Sequence, residues 1–148
     1  MSLLAIDPGT TQSGFVVMSR GKVVWAGVKP NADMLKCCAA HEGDVAIEMI
    51  ESMGMAVGKE TFETVRWIGR FQQAARNPEA VKLVYRKQVK LHLCGTPRAK
   101  DPNVRQALID KFGGDSVAIG KKSAPGPLYS VKSHAWPALG VAVTARGM

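Results

Sequence analysis

The chain has 148 residues, of which 46% are hydrophobic and 22% charged, and a formal net charge of +8. That composition predicts one globular domain, residues 1–148, with a single core, and no apolar run reaches the length of a membrane span. Cys37, Cys38 and Cys94 form no Cys-x-x-Cys pair and have no histidine at zinc-finger spacing, so free, at least partly buried thiols are expected rather than disulfides or a structural zinc. The N-terminus lacks the basic flank of a secretory signal, which points to an intracellular protein.

The chain opens on Leu3-Leu4-Ala5-Ile6-Asp7-Pro8-Gly9, an apolar run that stops abruptly at a carboxylate and a turn. This predicts a core strand with Asp7 at its mouth. Gly14 to Ser19 reads as a second strand, Arg20-Gly21 as a turn, and Lys22 to Val28 as a third strand, which together make an antiparallel meander. Pro30-Asn31 breaks the pattern, and Ala32 to His41 has helical composition with Met34, Leu35 and Cys38 on one side. Asp44 to Glu51 is expected as a buried strand, parallel to the first if the helix is a crossover. Ser52 to Lys59 is irregular. Glu60 to Arg76 gives the clearest amphipathic helix, with Phe62, Val65, Ile68, Phe71 and Ala75 recurring every three or four residues. Met49, Met53 and Met55 read as core filling.

A fifth strand is expected at Ala80 to Tyr85, followed by a short basic helix from Arg86 that ends at Gly95. Pro102 to Phe112 reads as another helix, terminated by Gly113-Gly114. Asp115 to Lys132 is expected to be a loop. Ser133 then caps a final helix, Ala135 to Ala145, with Pro137 in its first turn. The elements assemble into an α/β fold: a mixed five-stranded sheet, an antiparallel three-strand meander plus two parallel strands, flanked by helices.

The charge is localised. Residues Lys82 to Lys132 hold eleven Lys or Arg against three Asp, whereas the first 81 residues are close to neutral. A one-sided excess of this size favours a polyanionic partner, nucleic acid first. If the first and fourth strands pair, Asp7 and Glu48 meet at their carboxyl ends, where ligands gather in such sheets. Two ionised carboxylates there would repel, so the arrangement asks for a cation, although Asp7 on its own could equally cap its turn.

Asp7-Pro8-Gly9-Thr10-Thr11 with Gly14, Ile47-Glu48, Gln88-Val89-Lys90, Lys100 and the final Ser133-His134-Ala135-Trp136-Pro137 helix resemble the RuvC-type Holliday junction resolvases of the ribonuclease H-like superfamily. The compact bacteriophage members look most similar. The resemblance implies a homodimeric, crossover-junction endodeoxyribonuclease that nicks four-way DNA symmetrically, in the cytoplasm of a bacterial or phage-infected cell. It implies Mg2+, with Mn2+ as a substitute and two ions per site, and phosphodiester hydrolysis by activated water to 5′-phosphate ends.

Residue by residue, Asp7 and Glu48 match the first two metal-binding carboxylates of the family. The remaining two family positions, usually Asp, are His134 and Pro137 here. An imidazole can ligate a metal or move a proton, whereas Pro137 can do neither. Asp101 or Glu51 could substitute. Lys90 and Lys100 match basic residues that contact the scissile DNA, and Arg86, Lys87, Arg98, Lys121, Lys122 and Lys132 complete the DNA-binding set. The helix Glu60 to Arg76 and the Met-rich segment before it are the expected dimer interface. No membrane or nucleotide cofactor is expected: the kinase-type ATPases that share Asp-x-Gly-Thr-Thr need a second such domain. Two other readings are a nuclease that takes flaps and forks and a non-catalytic DNA-binding relative.

Overall fold

A computed structural model describes residues 2–148. Its five-stranded sheet runs β3-β2-β1-β4-β5, with β1 (Ser2–Asp7), β2 (Gln12–Ser19), β3 (Lys22–Pro30), β4 (Asp44–Met49) and β5 (Lys82–Tyr85). The first three strands form the antiparallel meander, and β1–β4 and β4–β5 are parallel. The helices are α1 (Asn31–Ala40), α2 (Lys59–Ala74), α3 (Arg86–Cys94), α4 (Asp101–Lys111), α5 (Asp115–Ala118) and α6 (Ala135–Arg146).

Strand periodicity divides the core. Successive side chains point to opposite faces, so Leu4, Ile6, Phe15, Val45 and Ile47 pack with Met34 and Cys38 of α1 and Ile68 and Phe71 of α2. Leu3, Ala5, Val16, Met18 and Ala46 face the other way, under α6 and the helices α3 and α4. Helix α6 is buried along most of its length, and Gly140 leaves room on it for Val89 and Leu93 of α3 and Val104 of α4. A left-handed Gly95 (φ 76°) ends α3, a conformation that only glycine adopts without steric cost.

Several expectations need correction. Asp115 to Lys132 is not an open loop: it contains α5 and a small hairpin of β6 (Gly120–Lys121) and β7 (Ala124–Pro125), and Leu128 and Val131 plug into the core. Short apolar anchors among Gly and Pro carry too little periodicity to show this. Ser133 is not the cap of α6. It takes a left-handed turn (φ 52°), and His134 is the cap residue, without a side-chain bond to the helix. Residue 80 lies in a one-turn helix, Pro78–Ala80, so β5 starts two residues later than expected. The apolar stripe of α2 is only half core: Ile68 and Phe71 are buried, but Phe62 is 65% exposed. Met53 and Met55 are both 75% exposed rather than core filling.

Candidate active site

Alternation and register together place the two central carboxylates. Asp7 follows Leu3 and Ala5 on the α6 face of β1, and Glu48 follows Ala46 on the same face of β4. Ile6 pairs with Ile47 in the parallel ladder, so the next residues along, Asp7 and Glu48, emerge side by side at the carboxyl ends. Their carboxyl groups are near enough to act on each other's charge. Burial pushes the Asp7 carboxyl up to about 6, partly opposed by the Arg86 guanidinium. Burial and then the Asp7 charge push Glu48 up to about 7, again opposed by Arg86. Both groups therefore hold on to a proton that ordinary carboxylates release, and the pair titrates as one unit.

The Asp7 turn is braced from beneath. The buried Ser13 hydroxyl donates to Asn31 Oδ1 at 2.7 Å, and Asn31 Nδ2 donates to the Gly9 carbonyl at 2.9 Å. The Gly9 N–H donates back to Ser13 Oγ at 3.3 Å. Neutral, buried bonds of this kind fix a loop without adding charge near Asp7. Gly14 pairs with Asp7 across the β1–β2 ladder, and the His134 carbonyl sits where a Cβ on Gly14 would be. The glycine thus lets the start of α6 close over the strand, and His134 joins Asp7, Thr10 and Gln12 around a cleft of about 320 Å3. The His134 side chain is exposed there.

Glu48 opens onto a second cleft of about 700 Å3, shared with Glu51, Arg86, Lys87, Lys90 and Arg98. Glu51 is drawn away by Lys87 at 3.5 Å. Arg86 begins α3 directly after β5, the strand beside β4, and its guanidinium does not point into open solvent. It reaches Glu48 Oε1 at 3.3 Å through one terminal nitrogen and Asp101 Oδ1 at 2.8 Å through the other. Asp101 opens α4, where the helix dipole favours an anion. Asp101, Arg86 and Pro137 line one further hollow of about 410 Å3 behind the site. On the proline side of the cluster, the nearby carboxylate is thus Asp101, not Glu51.

The remaining basic residues are spread out. Lys100 is the exposed cap of α4, and its N–H is held by Asn103 Oδ1 at 2.9 Å. Lys121 and Lys122 project from the small hairpin, and Lys132 lies over the Tyr129 ring at 5.5 Å. The expected set therefore splits: Asp7 and Glu48 come together with Arg86 and Lys90 nearby, while Lys121 and Lys122 belong to a separate projection. Sequence reasoning missed the bridging position of Arg86. The available signal was its place immediately after the strand that flanks Glu48.

Among the described residues no three His, Cys, Asp or Glu side chains converge as a ready metal cage. The donor chemistry nonetheless fits a hard divalent cation. Two largely buried carboxyl groups, both held above their ordinary range, are oxygen donors whose mutual repulsion such an ion removes. Asp7 and Glu48 would hold it, and His134 lines the same cleft as Asp7.

A mixed sheet in the order β3-β2-β1-β4-β5, helices on both faces and paired acids at the ends of β1 and β4 define a ribonuclease H-like fold. Within that class the chain has the RuvC fold over essentially its whole length. A Thermus thermophilus RuvC structure matches with a TM-score of 0.67 and 23% identity, covering 99% of this chain and 96% of that one. T. thermophilus RuvC in complex with a Holliday junction substrate matches with a TM-score of 0.67 and 25% identity, covering 97% and 92%. No family model matches the sequence. No curated protein matches it either.

Proposed function

We propose that the protein is a divalent-metal-dependent endonuclease that recognises four-way DNA junctions and nicks them by phosphodiester hydrolysis. The observation that carries this reading is the juxtaposition of Asp7 and Glu48 at the carboxyl ends of adjacent parallel strands, in a fold shared with a junction-bound RuvC. Asp7 and Glu48 hold the metal, Mg2+ or Mn2+, with His134 completing the side nearest Asp7. When bound, the metal activates water and stabilises charge on the phosphate. The chain's own contribution is positional. The Asn31 and Ser13 brace fixes Asp7, Lys90 and Arg98 on the Glu48 cleft attract and orient the phosphate backbone, and the exposed Lys100, Lys121, Lys122 and Lys132 add positive charge elsewhere on the surface.

Two symmetric cuts require two sites, and the exposed Met53, Met55, Val57 and Phe62 form an apolar patch suited to a two-fold dimer contact. The test compares four-way, flap and linear DNA of equal length in Mg2+ and in Mn2+. The reading expects preferential cutting of the four-way substrate. Binding without cleavage in either metal would favour a DNA-binding role instead, and equal cutting of flaps would widen the substrate class.

A further inference from the structure

Among the described residues Arg86 is the one side chain that bridges Glu48 and Asp101, the buried and the exposed parts of the acidic cluster. Its two contacts are unequal. The shorter, 2.8 Å, goes to Asp101, whose side chain is 71% exposed, and the longer, 3.3 Å, goes to Glu48, whose side chain is 16% exposed. The guanidinium is therefore anchored at the solvent edge and leans inward on the carboxylate that most needs a cation. A fork with several donors can keep one partner while releasing another, which a point charge such as Lys cannot do as readily.

The geometry points to Arg86 as a positioning residue that acts as the built-in counter-cation of the Asp7–Glu48 pair, with Asp101 as the seat on which it retires when a divalent cation takes the pair. This rests on the metal-dependent reading above. In the metal-free protein Arg86 offsets the repulsion between two carboxylates that share one buried corner. Metal binding then has to displace one contact only, the weaker one, because the Asp101 contact persists and keeps the guanidinium from being expelled unpaired. Asp101 is held ready for that duty by its place at the first position of α4, where its own charge is favoured. The device competes with the metal and at the same time prepares its site. Arg86 and Asp101 should therefore change metal affinity in opposite directions.

The test is Mn2+ titration of the full chain without DNA at pH 8, following the electron paramagnetic resonance signal of free Mn2+. Arg86→Gln should bind Mn2+ about tenfold more tightly, the scale of one partly buried charge contact. Asp101→Asn should bind about tenfold more weakly, because Arg86 then has only Glu48. The double variant should behave like Arg86→Gln, since Asp101 acts through the arginine. Unchanged or weaker binding in Arg86→Gln overturns the inference. So does an Asp101→Asn loss that persists in the double variant, which would make Asp101 a direct ligand. If Arg86→Gln does not fold, the wild type decides: its Arg86 guanidinium NMR resonances should shift on Mg2+ addition, and unmoved resonances overturn the inference. Wild type that binds no Mn2+ defeats the metal reading itself, whereas binding that is insensitive to both substitutions defeats only the role of Arg86.

Discussion

Replacing Glu48 with Gln should stabilise the metal-free protein while it abolishes cleavage. The Glu48 carboxyl, ordinarily near 4.5, is pushed up to about 7 by burial and by Asp7. The folded state therefore keeps a proton that the unfolded chain has already released, and stability falls as pH rises through that window. At about 1.4 kcal/mol for each pH unit between the two values, keeping Glu48 ionised at pH 8 costs the fold about 3 kcal/mol, and at pH 5 less than about 1. Gln carries no such cost and keeps nearly the same shape. The assay is urea unfolding in a chelator at pH 8 and at pH 5. Glu48→Gln should gain about 2 to 3 kcal/mol at pH 8 and little at pH 5. Adding Mg2+ should narrow the pH 8 gap by stabilising only the wild type. A variant no more stable than wild type at pH 8, or one with the same gain at both pH values, would refute the claim that burial and the Asp7 charge hold Glu48 against ionisation.

Other outcomes follow from the same structure. Asn31→Ala should lower stability by about 2 kcal/mol, because the Ser13 hydroxyl proton loses its acceptor and the Gly9 carbonyl its donor, and urea unfolding reads this directly. Gly14→Ala should force the start of α6 off β2, with loss of cleavage and a lowered melting temperature measured by circular dichroism. If the proposed dimer forms through this face, Phe62→Glu should leave a monomer by sedimentation velocity without unfolding α2, because Phe62 is outside the core. Lys121→Ala together with Lys122→Ala should weaken junction binding and reduce the slope of log affinity against log salt by about 2 if both contact phosphate.

What the sequence made legible follows from how local each signal was. The apolar runs of β1 and β4, each ended by a charge, bring Asp7 and Glu48 together once the two strands pair, because a parallel ladder needs only matching strands and a crossover. Helix α2 was found by its period, yet the period could not say that Phe62 lies beyond the edge of the core. The small hairpin after α5 is held by Leu128 and Val131 inserted from a Gly- and Pro-rich segment, a long-range anchor without a pattern. The Arg86–Asp101 contact joins residues on two helices separated by a loop, and no spacing rule connects them. Position 137 is similar: the sequence shows the proline, and only the fold shows which carboxylate stands near it.

The central claim is that Asp7 and Glu48 form the working heart of a junction nuclease. The most direct measurement maps the nicks on a synthetic four-way junction in Mg2+ for wild type, Asp7→Asn and Glu48→Gln, with binding measured in parallel. Wild type should give paired, symmetric nicks with 5′-phosphate ends, and both variants should bind junctions and leave them intact. Normal cutting by Asp7→Asn, or junctions left uncut by wild type in both Mg2+ and Mn2+, would contradict the claim.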